Sequence, residues 1–171
     1  MKSYRLSLVI LALLTMVSLG VAHAGQKAKR KSTGHRTAQV LLTPDQLKWG
    51  PAPPSLPAGA QLAMIEGDPS KPGMPFAFRV RFPDGYKVMP HWHPTDEKVV
   101  VLQGSLGVGM GNKFDPAAGH ELPSGSYAVM PSGMRHYAWS NGETVIQISG
   151  LGPFEIHYVN AADDPRKASK N

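Results

Sequence analysis

The sequence predicts an all-β fold, a single barrel or sandwich made of many short strands. From Phe76 to Phe82 large apolar residues alternate with Ala or Arg, which is the period of two expected of a strand with one buried face. Turn-forming residues interrupt the apolar runs about every 8–12 residues, a spacing typical of sandwiches and barrels. The chain has 18 Gly and 16 Pro and no long stretch with a helical apolar period, so a helical bundle is excluded.

Nine strands are predicted, and turn residues separate them. They cover residues 61–66, 76–82, 86–89, 98–103, 106–109, 127–130, 136–139, 144–149 and 154–159. The turn signals between them include Pro83-Asp84-Gly85, Pro131-Ser132-Gly133 and Asn141-Gly142. Ahead of the strands, Thr43 followed by Pro44 predicts a short helical turn with a capped start.

The first 24 residues have the pattern of an export signal. Lys2 and Arg5 precede an apolar run over residues 6–17, and Ala22-His23-Ala24 offers small residues for cleavage. The run is shorter than the roughly 20 residues that a membrane-spanning helix needs. We therefore predict a signal peptide over residues 1–24 and a periplasmic or secreted protein without a stable membrane span. An uncleaved anchor is the alternative.

Charged residues are distributed unevenly over the rest of the chain. The net charge is +6, yet residues 39–162 hold eight basic and ten acidic side chains. Residues 25–38 hold five basic residues, no acidic residue and no apolar period, so we predict a basic disordered linker there. A folded domain over 39–162 and a polar C-terminal tail over 163–171 complete the predicted organisation. Because the folded domain has no basic excess, the pattern argues against nucleic-acid binding.

The chain contains no cysteine. Disulfides, thiolate zinc sites, iron–sulfur clusters and a cysteine nucleophile are therefore excluded.

Four side chains form a metal-ligand pattern. His91 and His93 are two residues apart, so on a strand both point to one face. Glu97 follows the Pro94-Thr95-Asp96 turn, from which a hairpin can fold its carboxylate back over the two imidazoles. His136 begins a later predicted strand. Three neutral imidazoles and one carboxylate suit a divalent transition metal and leave one or two positions for water, oxygen or substrate.

The spacing of these residues resembles the first motif of the cupin superfamily. The stretch Gly85-x5-His91-x-His93-x3-Glu97-x6-Gly104 matches that motif at every specified position. The resemblance implies a jelly-roll β-barrel in which these two histidines and the glutamate are metal ligands.

A second stretch resembles the second cupin motif. It reads Gly125-x5-Pro131-x-Gly133-x2-His136, and it makes His136 the fourth implied ligand. The stretch departs from the motif only at its end, where the family expects Asn and this chain has Ser140. That Asn is usually structural, so the departure bears little on the metal.

The resemblance covers roughly residues 60–150 and is closest to small exported single-domain cupins of unassigned function. It implies one divalent ion, with Fe, Mn, Ni, Zn and Cu all compatible with the ligand set. A homodimer paired through edge strands is a further expectation from the resemblance. Cupins include dioxygenases, isomerases, decarboxylases, storage proteins and sensors, so the fold does not fix the function.

Strand parity predicts the lining of the barrel around the ligands. The candidates for pocket or supporting positions are Met89, Val99, Val101, Ala138, Gln147 and Ser149. Gln147 and Ser149 share one face, which is equally compatible with an outward orientation. Arg79 and Arg81 are interpreted as solvent-facing; an inward-facing arginine would instead bind a substrate carboxylate.

Three functions remain compatible with the sequence. The favoured one is a mononuclear metalloenzyme, dioxygenase-like or isomerase-like, that acts on a small organic molecule. The pattern offers no general base beyond the ligands, so the catalytic residues are unknown. The alternatives are a non-catalytic cupin that binds or senses a small ligand or metal, and an interaction protein whose basic segment binds an anionic envelope surface.

Overall fold

The computed structural model describes residues 39–168. Two long strands, β5 (Glu97–Met110) and β8 (His136–Leu151), organise the fold in this range. Nine strands are present in this range, and all of their pairings are antiparallel. The strands are β1 (Gly50–Pro51), β2 (Gln61–Gly67), β3 (Pro75–Phe82), β4 (Lys87–Trp92), β5 (Glu97–Met110), β6 (His120–Pro123), β7 (Tyr127–Met130), β8 (His136–Leu151) and β9 (His157–Tyr158). Short 3-10 turns cover Pro44–Gln46, Pro116–Ala118 and Ala161–Asp163, and helix α1 covers Pro165–Ala168.

The jelly-roll barrel is closed around β8. One edge of β8 pairs with β5 along almost its whole length, from Met110↔His136 to Lys98↔Ser149. The other edge pairs first with β4 and then with β3. Because β8 changes partner partway, the sheet curls over itself and encloses one interior, as the sequence predicted.

The two long strands replace four of the predicted short ones. The sequence places a turn at Asn141-Gly142, but β8 continues through it, and β5 likewise continues through Gly104. Both glycines have positive φ, +74° for Gly142 and +75° for Gly104, and the register between β5 and β8 shifts beside Gly104. Left-handed glycines therefore bend the two strands at a corner of the barrel instead of ending them.

Large apolar side chains of β3 fill the interior. Phe76, Phe78, Val80 and Phe82 are all buried and form one cluster with residues of β5 and β8. The predicted alternation of this strand is confirmed. Burial of each such side chain contributes about 1.5–3 kcal/mol to folding, so β3 is a main contributor to the core.

Two aromatic rings lie against glycines on the outer side of β5. A Cβ atom added to Gly107 would lie 1.9 Å from the Trp139 ring, and one added to Gly109 would lie 2.2 Å from the Tyr137 ring. Gly107 and Gly109 lie inside the strand, as predicted. They leave the space that the two aromatic residues of β8 occupy.

The N-terminal end of the described chain is as predicted, and the C-terminal end has more regular structure than the sequence indicates. The predicted N-terminal turn is confirmed at Pro44–Gln46, where Thr43 N–H donates to Gln46 Oε1 at 2.8 Å. Residues 161–168, assigned to the end of the domain and a polar tail, form helical turns, and Asp164 is buried. The strand predicted at 154–159 is reduced to β9.

The predicted signal peptide and basic linker lie outside the described residues. Within residues 39–168, no helix has the length and hydropathy needed to cross a membrane.

Candidate metal centre

The four predicted ligands lie on three neighbouring strand ends. His91 is near the end of β4 and His93 follows that strand, Glu97 is the first residue of β5, and His136 is the first residue of β8. His91 is paired directly with His136. All four side chains are buried, between 2% and 6% exposed.

The three imidazoles converge. The ring centroids of His91 and His136 are 4.2 Å apart. The ring centroid of His93 lies 5.1 Å from that of His91 and 5.3 Å from that of His136. One ring nitrogen from each histidine lies within 4.8 Å of the other two. These distances suit three ligand atoms around a single ion.

Backbone carbonyls set the tautomer of each ring. The Nδ1 atom of His91 is 2.7 Å from the Met89 carbonyl, that of His93 is 2.7 Å from the Glu155 carbonyl, and that of His136 is 3.0 Å from the Met134 carbonyl. A carbonyl can only accept, so each Nδ1 carries the proton and donates it. In the neutral ring, Nε2 then has a free lone pair for a metal.

Glu97 adds a negative charge to the cluster. Its Oε2 atom lies 3.2 Å from His136 Nε2 and 3.5 Å from His93 Nε2. Burial alone would raise the pKa of the Glu97 carboxyl, but the contacts with His136 and His93, when these rings carry a proton on Nε2, outweigh burial and hold the pKa well below its usual range. A cation at the Nε2 atoms, whether a proton or a metal ion, therefore keeps Glu97 in its carboxylate form.

Burial has the opposite consequence for His91. Desolvation, reinforced by the neighbouring His136 and His93, lowers the pKa of His91 to about 3. His91 is thus a neutral imidazole at neutral pH, the form that binds metals.

The donor atoms of this cluster fit a cation. The Nε2 atom of His93 is buried and has no hydrogen-bond partner there, although such an atom normally has one. A metal ion among the Nε2 atoms would satisfy this lone pair and balance the buried Glu97 carboxylate. The N3O donor set is suited to a divalent transition metal.

The cluster lies in the wall of a cavity of about 210 Å³ inside the barrel. Strands β2, β3, β5 and β8 supply most of the wall, with Leu62, Phe78, Val99 and Ile148 among its residues. A loop over residues 53–56 covers part of the cavity with Pro53 and Leu56. The arrangement is a mostly apolar chamber with one polar, metal-binding patch.

Only some of the predicted lining residues lie in this wall. Val99 and Ala138 line the cavity, whereas Val101 is buried in the core beside it. Gln147 and Ser149 do not line the cavity, and Gln147 Oε1 accepts a hydrogen bond from Arg79 Nε at 3.2 Å. Of the two orientations that the sequence left open for Gln147 and Ser149, the structure has the outward one, since both lie on the opposite face of β8 from Ile146 and Ile148, which line the cavity.

Met89 supports the site through its carbonyl, which accepts the His91 Nδ1 proton, but it does not line the cavity, and a bulge explains why. In β4, Val88 pairs with Ala138 and His91 with His136, so three steps on β4 oppose two on β8. The extra residue reverses the parity between Val88 and His91. Val88 therefore lines the cavity in place of Met89.

Ser140 has the structural role that the sequence analysis assigned to this position. Its Oγ donates to the Pro83 carbonyl at 2.5 Å and accepts from the Tyr86 N–H at 2.9 Å. The two bonds fix the turn that precedes β4.

A C-terminal segment that no sequence motif indicates also supports the site. The Phe154 ring stacks on His93 with centroids 4.3 Å apart, and the next residue supplies the carbonyl to His93 Nδ1. Tyr158 donates its hydroxyl to the Ser55 carbonyl at 2.8 Å and so connects β9 to the loop over the cavity. These contacts span more than 60 residues, and no local pattern signals them.

The barrel has the cupin fold, and the histidine–carboxylate cluster lies in its interior. The chain belongs to the family described as "Domain of unknown function (DUF4437)", whose pattern matches residues 20–157. A search of the curated proteins found no match.

Solved structures share the fold at low sequence identity. The polyketide cyclase RemF from Streptomyces resistomycificus has a TM-score of 0.57 and 14% identity, over 78% of this chain and 94% of that one. A candidate acetylacetone dioxygenase from Methylibium petroleiphilum PM1 has a TM-score of 0.57 and 18% identity, over 75% and 85%. An RmlC-like cupin from Shewanella frigidimarina NCIMB 400 has a TM-score of 0.52 and 13% identity, over 67% and 92%.

Proposed function

We propose that this protein is an exported metal-dependent enzyme with one divalent transition metal, dioxygenase-like or isomerase-like, that acts on a small organic molecule. The carrying observation is the convergence of three Nε2 atoms, each presented by an Nδ1–H bond to a backbone carbonyl, beside a buried carboxylate in the wall of a cavity. Similarity in fold to a candidate dioxygenase is compatible with this proposal. Export rests on the signal pattern of residues 1–24.

His91, His93, His136 and Glu97 would hold the metal. When bound, such an ion supplies Lewis acidity and, for a redox metal, electron transfer to a coordinated substrate or oxygen. The chain itself orients the three imidazoles, since three carbonyls fix the ring planes. The apolar wall excludes water and strengthens electrostatic interactions at the cluster.

Elemental analysis tests the proposal directly. Protein purified without chelator is compared with a His91→Ala/His93→Ala double variant and with a His157→Ala control, which removes an exposed histidine outside the cluster. We expect about one equivalent of metal in the parent and the control and none in the double variant. Circular dichroism of each protein establishes that the barrel is retained.

Oxygen uptake then separates the reaction types. If the parent contains a redox metal, oxygen uptake is measured with catechols, flavonols, thiols and keto-acids. If it contains zinc, isomerisation assays are used instead. Absence of metal from the parent, even after reconstitution with Fe²⁺, Mn²⁺, Ni²⁺, Cu²⁺ and Zn²⁺, would contradict the proposal.

One observation favours a second candidate, a non-catalytic binding or sensing protein. The only ionisable side chains in the described cavity wall are the four candidate ligands, so no separate general acid or base is present in the wall. A sensor would bind a small molecule at the metal without turnover, and product analysis after prolonged incubation distinguishes the two functions.

A further inference from the structure

The composition of the cavity wall bears on what the site accepts. Apart from the four candidate ligands, Ser55 in the covering loop is the only residue in the described wall with a polar side chain. The rest of the wall consists of aliphatic, aromatic and proline side chains, including Leu62, Phe78 and Ile148. A ligand with several hydroxyl or charged groups would leave most of them buried without hydrogen-bond partners, which disfavours its binding.

The arginines nearest to the interior cannot pair with a second anionic group. Arg79 and Arg81 are on β3 between the cavity-lining Phe78, Val80 and Phe82, so their side chains leave the strand on the opposite face. Arg79 Nε donates to Gln147 at 3.2 Å, and Arg81 lies over the Trp49 ring at 4.2 Å. No lysine or arginine lines the described part of the cavity.

Charge balance sets the number of anionic groups. Each histidine donates its Nδ1 proton to a carbonyl and would bind a metal as a neutral ring, so the ligand set carries one negative charge, on Glu97. With a divalent ion the buried centre would have one positive charge in excess. One anionic oxygen group on the ligand neutralises it, whereas a second would be buried without a counter-charge.

We propose that the substrate or ligand is a small molecule with one singly charged, metal-binding oxygen group on an otherwise apolar body, and not a dicarboxylate or a sugar acid. This inference rests on the proposed metal site. The cavity of about 210 Å³ is smaller than the roughly 300–1,000 Å³ of pockets for drug-sized ligands, which limits the apolar body to a short chain or a single ring.

Met64 offers a way to change this preference without disturbing the core. It lines the cavity but is 42% exposed, so it lies at the rim. A Met64→Arg variant would introduce a cation at the mouth, where its guanidinium can remain hydrated. Val129→Arg is the matched control, because Val129 is 43% exposed and lies outside the cavity wall.

The test uses three six-carbon probes: hexanoate, adipate and gluconate. The chain is first loaded with Co²⁺, and the binding of each probe is followed by calorimetry and by the visible absorption of the cobalt. We expect hexanoate to bind at least about tenfold more tightly than the other two, equivalent to about 1.4 kcal/mol, and its binding to disappear in chelator-treated protein. Met64→Arg should narrow the preference for hexanoate over adipate, and Val129→Arg should not.

The outcomes separate this inference from the proposed function. Equal or tighter binding of adipate or gluconate to the cobalt protein, or no binding of hexanoate, overturns the inference and leaves the metal site intact. Failure to take up Co²⁺ together with Fe²⁺, Mn²⁺, Ni²⁺, Cu²⁺ and Zn²⁺ overturns both.

Discussion

At the residue scale, the protonation of the cluster follows from burial and from its hydrogen bonds. Two of the three Nδ1 acceptors are local, since His91 and His136 each donate to the carbonyl two residues earlier. His91, His93 and Glu97 are also close along the chain, and the Pro131-x-Gly133-x2-His136 motif marks the distant fourth ligand. For this reason the candidate ligands could be identified from the sequence, whereas the acceptor for His93, at Glu155, could not.

Acid should destabilise the metal-free protein through this cluster. The pKa of His91 is lowered to about 3 in the fold, below the ordinary value of about 6.5, so the unfolded chain binds more protons between these values. Stability conferred by the neutral ring is therefore complete above pH 6.5 and is lost as the pH falls towards 3. The lowered pKa of Glu97 acts in the same direction below about pH 4.5.

Urea unfolding at several pH values, in the presence of chelator, measures this effect. We expect the free energy of unfolding to fall by about 1 kcal/mol per pH unit below pH 6, and His91→Gln to flatten this dependence. His120→Gln, an exposed histidine on β6, should leave it unchanged. Identical slopes for the parent and His91→Gln would contradict the assigned cause.

At the element scale, the strands could be located from their alternation, but their continuity and register could not. The alternation of β3 gave its buried face correctly because the strand has no bulge in its pairing with β8. In β4 a single extra residue shifts the pairing with β8, so the cavity is lined by Val88 and not, as strand alternation had predicted, by Met89. A bulge depends on pairing with a distant strand, which a local pattern does not contain.

The C-terminal turns hold the segment that orients His93. Arg166 is bonded to Asp164 at 2.7 Å through Nε and donates to the Ile156 carbonyl at 3.1 Å. Ile156 lines the cavity and directly follows Glu155, whose carbonyl accepts the His93 proton. This clamp therefore supports a candidate ligand from a position outside the cavity.

Loss of the clamp should weaken metal binding. We expect Arg166→Ala to lower the affinity for the metal by about threefold to tenfold, less than the 10–100-fold typical of residues bonded directly to a ligand. Competition with a chromophoric chelator measures the affinity. Arg135→Ala removes an exposed bond to Asn112 and should have no effect. Equal affinities for the two variants would show that the clamp does not act on the centre.

At the scale of the whole molecule, the core and the chamber are built from the same side chains. Phe78, Val80, Val99 and Ile148 belong to the buried cluster and also line the cavity. The composition and turn spacing predict a barrel, but the closure of that barrel depends on the partner exchange along β8. The size and apolar character of the chamber follow from this closure and could not be read from the sequence.

The metal should therefore stabilise the entire fold. The four candidate ligands come from β4, β5, β8 and the residue that follows β4, segments brought together only in the native barrel. An ion at a free concentration of 1,000 Kd would add about 4 kcal/mol to the free energy of unfolding, which corresponds to roughly 10 °C in the melting temperature for a domain of this size. The His91→Ala/His93→Ala variant should lack this response.

Differential scanning calorimetry with and without chelator provides the measurement. The difference in melting temperature between the parent and the double variant should be smaller in chelator than in metal. In chelator neither protein has a bound ion to stabilise it. His157→Ala should respond to metal like the parent, since its ring stacks on Trp92 at the surface and not on the cluster. An unchanged melting temperature of the fully metal-loaded parent after chelator treatment would contradict this prediction. The ion would then not bind between β4, β5 and β8, and the cluster would not be its site.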